Sequence, residues 1–327
     1  MDRMITALFS SVEAGLLYAL MALGVYISFR ILDFPDLTVD GSFVTGAAVA
    51  SVLIVAGVNP FIASLAALGA GFFAGCMTGL LHTKGKINPL LSGILMMIAL
   101  YSINLRIMDK PNVPLLQQET VMTIITKAFQ RFDQALATVI PFVPKTWGIV
   151  VFGMLLVVIV KVVIDLFLKT EVGLAIRAVG DNKKMIASFS GNTDRLTIIG
   201  LGLSNALVAF SGALIAQYSG FSDIGMGIGM IVIGLASVII GEALFGAKTI
   251  VRATLAVIFG AIVYRIVITL ALRVQFLETG DVKLITALIV ILALVVPQMI
   301  AARAEKQRKA RKRGAAVAST QADYESV

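Results

Sequence analysis

The residues able to do chemistry are few in this chain. There is one histidine and one cysteine. Cys76 sits inside an apolar run, so neither a disulfide framework nor a thiolate metal site can be built from it. His82 stands beside Lys84 and Lys86 at a helix end, which suits a polar boundary residue better than a ligand. No G-x-x-x-x-G-K-[ST] loop is present, and no Ser/His/Asp or His/Cys/carboxylate constellation can be assembled. The remaining candidates are charges in apolar surroundings. Glu13 lies in LFSSVEAGLLYALMALGVYISF, and Asp33, Asp36 and Asp40 crowd around Pro35 and Gly41. Asp223 follows Tyr218, Glu242 lies near Lys248, and Arg265 follows Tyr264. A charge in a membrane helix must face protein or water and find a partner, so such groups mark either packing contacts or a solute or ion pathway. For Glu13 and the Asp33–Asp40 cluster both readings stand. For Glu242 the simpler one is a boundary ion pair with Lys248. Arg265 needs a partner, for which Glu13 and Asp223 are the candidates.

The elements that hold these groups follow from composition. The chain of 327 residues is 58% hydrophobic and 14% charged, with 29 glycines. Soluble domains carry about 25% charged residues. The fold class is therefore an all-α polytopic integral membrane protein, with about 8–10 transmembrane helices and broken or re-entrant segments. Apolar stretches of spanning length lie at about 4–28, 38–57, 60–82, 87–108, 147–168, 195–218, 227–246, 250–272 and 281–300. Most basic residues fall on one side of these spans: Arg30, Lys84, Lys86, Lys161, Lys169, Arg177, Lys183, Lys184, Arg195, Lys248, Arg252 and a tail from Arg303 to Arg313. That bias places the tail and the 169–195 loop in the cytoplasm and the N-terminus outside. It also accounts for the net charge of +8 without nucleic acid.

Local signals refine this outline. Pro35 breaks regular helix. Asp40 is expected to cap a new helix at Gly41, and irregular backbone there would line a water-filled pathway or form an ordinary acidic loop. Gly71, Gly75 and Gly79 form a small-residue ridge for a close neighbour, in this chain or in a second copy. Val121, Ile124, Ile125, Ala128, Phe129 and Phe132 predict an amphipathic helix within the 109–146 loop, either lying at the outer surface or capping the bundle. Gly225, Gly227 and Gly229 predict a broken helix at the outer mouth of a pathway. Residues 169–195, KTEVGLAIRAVGDNKKMIASFSGNTDR, form a polar interval. A short amphipathic helix is expected there, ending near Gly180 with a turn at Asp181–Asn182.

Three stretches give a resemblance: Gly15–Gly24 with the Phe34–Gly46 segment, Gly173–Asn182 through Ser190–Arg195, and the glycine-rich pair of helices from Gly200 to Gly246. Together they run through most of residues 10–300, and the chain resembles the permease subunits of bacterial ABC importers of the branched-chain amino acid and ribose type. Leu37–Phe43 and Ile239–Phe245 are similar to the permeases of tryptophan/tyrosine-type uptake systems. The resemblance implies a permease domain at 1–302 in a bacterial cell membrane, and the basic, then small and polar composition of 303–327 predicts a disordered cytoplasmic tail. The resemblance also implies a second permease copy, two copies of an ABC ATPase that bind ATP and Mg, an extracytoplasmic substrate-binding protein, and surrounding lipid. No cofactor and no enzymatic activity are expected in this chain. Glu171, Gly173, Arg177, Ala178, Val179, Gly180, Asp181, Asn182 and Lys183 are implied as the ATPase-coupling residues. Asp40, Ser42, Phe43, Tyr218, Gly225, Gly227 and Gly229 are the expected pathway residues, and the solute is expected to be an amino acid. The alternative is a secondary transporter driven by an ion gradient through Glu13, Asp40 and Asp223. It gives no account of the 169–195 loop.

Overall fold

The computed structural model describes residues 2–137, 146–188 and 191–271, with isolated positions 284, 287, 288 and 291. The expected span at 281–300 and the tail at 303–327 lie outside the described residues or touch them only at those isolated positions. The helices are α1 (Asp2–Val25), α2 (Thr38–Val55), α3 (Pro60–Thr83), α4 (Pro89–Met108), α5 (Val121–Ala137), α6 (Gly148–Phe167), α7 (Glu171–Ser188), α8 (Thr193–Ser219), α9 (Met230–Phe245) and α10 (Ile250–Ala271). Seven of them are long and apolar enough to cross a membrane, with α1 prolonged by a π-helical turn at Tyr26–Ile31; α9 is shorter. α3 and α4 start in the same way. Asn59 and Asn88 accept the N–H groups of Phe61 and Leu90 at 2.9 and 3.0 Å, and Pro60 and Pro89 occupy the first helical position.

α1 and α8 form the centre. Their most apolar windows are 89% and 78% buried, against 28% for α4 and α6. The outer helices turn Leu95, Ile98, Met154, Leu155 and Val158 outward. So much apolar surface is stable only in contact with lipid or another protein. The glycine ridge of α3 meets α8 of the same chain. A Cβ on Gly71 would lie 2.4 Å from the Asn205 carbonyl oxygen, and one on Gly75 2.2 Å from that of Leu201. Only hydrogen fits there, and the two backbones approach accordingly.

Two features differ from expectation. The 109–146 loop contributes a strand, β1 (Asn112–Pro114), paired antiparallel with β2 (Phe221–Asp223). This ribbon ties the loop to the glycine-rich break, and three-residue strands leave no periodic signal in the sequence. The amphipathic helix exists as α5, and it caps the bundle: Val121, Met122 and Ile125 are buried, and Val121 N–H donates to Gln217 Oε1 at 2.9 Å. Glu242 pairs with Arg30 at 3.0 Å, which replaces the expected Lys248 partner.

Candidate functional site

The helical framework is interrupted at residues 32–37 and at residues 220–229. The first is held by Asp36, which is fully buried. Its Oδ1 accepts the Thr38 N–H at 2.9 Å, and its Oδ2 accepts the Asn205 amide at 2.6 Å. Burial pushes the Asp36 carboxyl above the usual carboxylate range, against the hydrogen bonds from Thr38 and Asn205. Asp36 thus anchors the break to the middle of α8 and satisfies the first free N–H of α2.

Asp40 does cap a helix, but a different one from that expected. α2 already begins at Thr38. The Asp40 carboxylate reaches across to α9, where Oδ2 accepts the Gly229 N–H at 2.9 Å and Oδ1 the Ile231 N–H at 2.8 Å. An acceptor at this position satisfies orphan donors and opposes the positive end of the helix dipole. Sequence spacing could not reveal it, because the partner lies almost two hundred residues away. Gly229 has φ +87°, the left-handed region that lets the chain turn into α9. Gly227 has a steric reason: a Cβ there would lie 2.1 Å from the Asp40 carbonyl oxygen. Gly225 N–H donates to Asp223 Oδ1 at 2.8 Å within the same turn.

The structure therefore brings Asp40, Gly225, Gly227 and Gly229 together. Ser42 and Phe43 turn into the bundle. Ser42 is buried with no hydroxyl partner among the described residues, and Phe43 stacks on Tyr18 with ring centroids 6.1 Å apart. Arg265 lies over the other ring in this chain of contacts, 4.4 Å from the Tyr18 centroid. Tyr218 donates to Glu13 Oε2 at 2.9 Å and also feels the Arg265 charge. These residues tie α1, α2, α8 and α10 near the ribbon end. Beside Asp40, a cavity of about 440 Å³ opens between α2, α4 and the 224–228 turn.

α7 lies at the opposite end. It does not stop near Gly180 but continues to a kink at Asn182 (φ −157°, ψ 88°). The Asn182 Oδ1 accepts the Met185 N–H at 3.1 Å, capping the second half. Gly180 is needed for packing, not for a turn: a Cβ there would stand 1.9 Å from the Ile31 carbonyl oxygen, at the end of the π-helical turn of α1. Ile176 and Val179 are buried, and Ile176 joins the main core. The expected coupling set thus splits by exposure. Glu171, Asp181, Asn182 and Lys183 are exposed, Arg177, Ala178 and Gly180 half-buried, and Gly173 and Val179 buried. Arg177 acts electrostatically on Tyr26, together with Glu242, Arg30 and Asp165.

Some polar contacts escaped the sequence reading. Gln217 bridges Ser64 at 2.8 Å and the α5 N-terminus. Lys161, read from sequence as part of a basic edge, forms a buried ion pair with Asp165 within α6, and Asp165 also accepts from Thr254 at 2.8 Å. The i,i+4 spacing of Lys161 and Asp165 was a usable signal.

The branched-chain amino acid transport system permease component family matches residues 7–296. The tyrosine transport system permease protein of Clostridioides difficile (strain R20291) is 42% identical over 286 residues, 88% of this chain and 90% of the relative. An uncharacterised protein of Rickettsia prowazekii (strain Madrid E) is 33% identical over 298 residues, 90% of this chain and 97% of the relative. Among solved structures, a chain from an inward-facing metal-chelate type ABC transporter aligns with a TM-score of 0.45 at 18% identity, covering 90% of this chain and 84% of that one. Because the family model matches residues 7–296 and the Clostridioides difficile relative is 42% identical over 88% of the chain, the chain belongs to the branched-chain amino acid transport system permease component family, the membrane-spanning permeases of ABC-type transporters.

Proposed function

We propose that this permease forms the solute pathway of an importer, working as a pair of copies driven by two copies of a separate ATPase. α7 and the C-terminal tail face the cytoplasm, and a substrate-binding protein delivers the solute at the ribbon end. The solute is an amino acid of the tyrosine class, as the name of the Clostridioides difficile relative suggests. ATP hydrolysis belongs to the partner, and this chain supplies no catalytic step.

The observation that carries this reading is the build of α7. Its exposed edge at Asp181–Lys183 is free to meet a soluble protein, while Ile176, Val179 and Gly180 lock its other side onto the end of α1. A push on the exposed edge therefore reaches a helix that runs through the centre of the bundle. Gradient-driven transport has less support, because both Asp40 oxygens are engaged by the α9 N-terminus and Glu13 by Tyr218.

The test is to purify the chain with a candidate ABC ATPase. Lys183→Glu and Asp181→Lys should weaken the complex and abolish transport-coupled hydrolysis while leaving the permease folded. If both variants, and Arg177→Glu, retain full complex formation and full coupling, the proposal is wrong.

A further inference from the structure

Arg265 is a charge that the bundle leaves without a counterpart. It lies more than a helical turn inside α10, a helix long and apolar enough to cross a membrane. Its guanidinium rests 4.4 Å from the ring centroid of Tyr18, a core residue of α1 that stacks in turn on Phe43. The cation therefore turns toward the central helix. Contact with a ring face gives its N–H donors no lone pair to meet. Among the described residues Arg265 makes no hydrogen bond and no ion pair, so neither Glu13 nor Asp223 supplies the anion expected from sequence. Its nitrogens are not sealed: the side-chain atoms buried without a partner belong to Ser42, Ser51, Asn104, Trp147 and Asn205, and Arg265 is only half-buried. Arginine keeps its charge. In a membrane helix such a cation is tolerated only against water or an anion.

Its place in the bundle suggests which anion. Thr269 of α10 bonds Ser11 at 2.7 Å and Ile262 packs on Gly15, so Arg265 stands beside the Glu13 stretch of α1. Tyr218, near the end of α8, donates to Glu13 and feels the Arg265 charge. The same Tyr218 lines a cavity of about 400 Å³ between α5 and the end of α8, at the ribbon end. We infer that Arg265 receives the carboxylate of the transported solute just inside the ribbon end. The inference rests on the reading of the solute as an amino acid of the tyrosine class delivered at that end, and it gives the solute its first contact in the membrane. A guanidinium offers a carboxylate two parallel N–H donors, which adds geometry to charge. Tyr18 holds the guanidinium from one face, so the contact needs little reordering when the solute arrives.

The test compares ligands with and without the carboxylate. The full chain is placed in phosphatidylcholine nanodiscs, and saturation-transfer NMR titrations give dissociation constants for three probes. These are L-tyrosine, its propionate analogue, which keeps the carboxylate and lacks the ammonium, and tyramine, which does the opposite. L-Tyrosine and the propionate analogue should bind, and tyramine should bind at least about tenfold more weakly, the effect of losing a charge-assisted contact. Arg265→Gln should weaken L-tyrosine by a similar factor and leave tyramine unchanged, a pattern that a purely structural role would not give. Arg265→Lys, which keeps the charge without the paired donors, should fall between. Tyramine binding as tightly as L-tyrosine, an unchanged L-tyrosine constant in Arg265→Gln, or a parent that binds neither L-tyrosine nor L-leucine would overturn the inference. The parent comparison needs no variant, so poor folding of Arg265→Gln does not shield it. A lipid headgroup phosphate on Arg265 would also overturn it. That partner would show as a rise in thermal midpoint on adding phosphatidylglycerol, present in the parent and absent in Arg265→Gln, with L-tyrosine binding alike in both. L-Leucine bound through Arg265 in place of L-tyrosine keeps the site and refutes the tyrosine-class reading. A chain that couples to its ATPase yet fails these comparisons refutes the site and leaves the importer reading intact.

Discussion

The Asp40 junction and α7 both interrupt the apolar framework with polar residues, yet they use those residues in opposite ways. At the junction, Asp40 and Asp36 are spent on backbone and amide donors inside the bundle. On α7, Asp181, Asn182 and Lys183 stand exposed, and the apolar residues Ile176 and Val179 do the internal work. Water explains the difference. Within the bundle every N–H freed by a helix break needs a protein acceptor, so a carboxylate there is committed. At the α7 end water can satisfy those groups, which leaves the charges available to a partner. A polar residue in a membrane chain therefore reports function best where it is not required for structure.

Asp40→Ala gives the largest expected effect. It strips acceptors from two N–H groups at the start of α9, which should cost about 2–4 kcal/mol. Asp40→Asn keeps one acceptor and should cost roughly half as much. Thermal unfolding of the purified chain, alone and with its ATPase, measures both. If Asp40→Ala unfolds no earlier than the parent, the carboxylate is not committed and the contrast with α7 fails. Gly227→Ala comes next. The added methyl would meet the Asp40 carbonyl oxygen at 2.1 Å and Val44 Cγ2 at 2.5 Å, for a cost of about 1–3 kcal/mol. Lys183→Ala is the control on the other region, where an exposed substitution should change stability by less than about 0.5 kcal/mol.

The same contrast decides what could be read from sequence. The spans were legible because twenty apolar residues in a row have few other uses, and α2 to α4, α6, α8 and α10 fall close to the expected limits. The breaks at Pro35 and Gly225–Gly229 were legible because proline and glycine act locally. Asp40 was recognisable as a cap, but its helix was not, since spacing along the chain cannot select α9 over α2. Proximity along the chain points Glu242 to Lys248, whereas Arg30 is its partner because the end of α1 packs beside α9. Gly180 suggests a helix stop in the sequence and is a packing contact in the structure, and a glycine alone does not distinguish the two. The ribbon and the Asn205 and Gln217 bridges rest wholly on tertiary neighbours, and no periodic pattern announces them.

Arg30–Glu242 sits between the two regions and should have an intermediate status. It joins the π-helical end of α1 to the end of α9 at 3.0 Å, but its side chains are 61% and 20% exposed. Solvent screening limits such a pair to about 0.2–1 kcal/mol. A double-mutant cycle with Arg30→Ala and Glu242→Ala measures the coupling energy. A value well above that range would show that commitment extends to the α7 end of the bundle, and that boundary would need to be redrawn.

The smallest expected effect is at Glu119, in the loop before α5, where Lys127 provides both a hydrogen bond and a nearby positive charge. These hold the Glu119 carboxyl below its usual value of 4.5, against a weak opposing effect of desolvation. The sign follows directly. A carboxyl whose pKa is lower in the folded state favours folding fully above the unfolded value, and that contribution fades as pH falls through the folded value. Carbon NMR of labelled glutamate should give a midpoint below 4.5 that rises toward it in Lys127→Ala. Salt near 1 M shortens the Debye length to about 3 Å and should move the midpoint in the same direction. The Asp40 contacts should not respond to salt, because solvent ions do not reach a cap packed between α2 and α9. A salt-dependent loss of stability in the parent that disappears in Asp40→Asn would place that carboxylate in contact with water, which a solute pathway in its open state also requires.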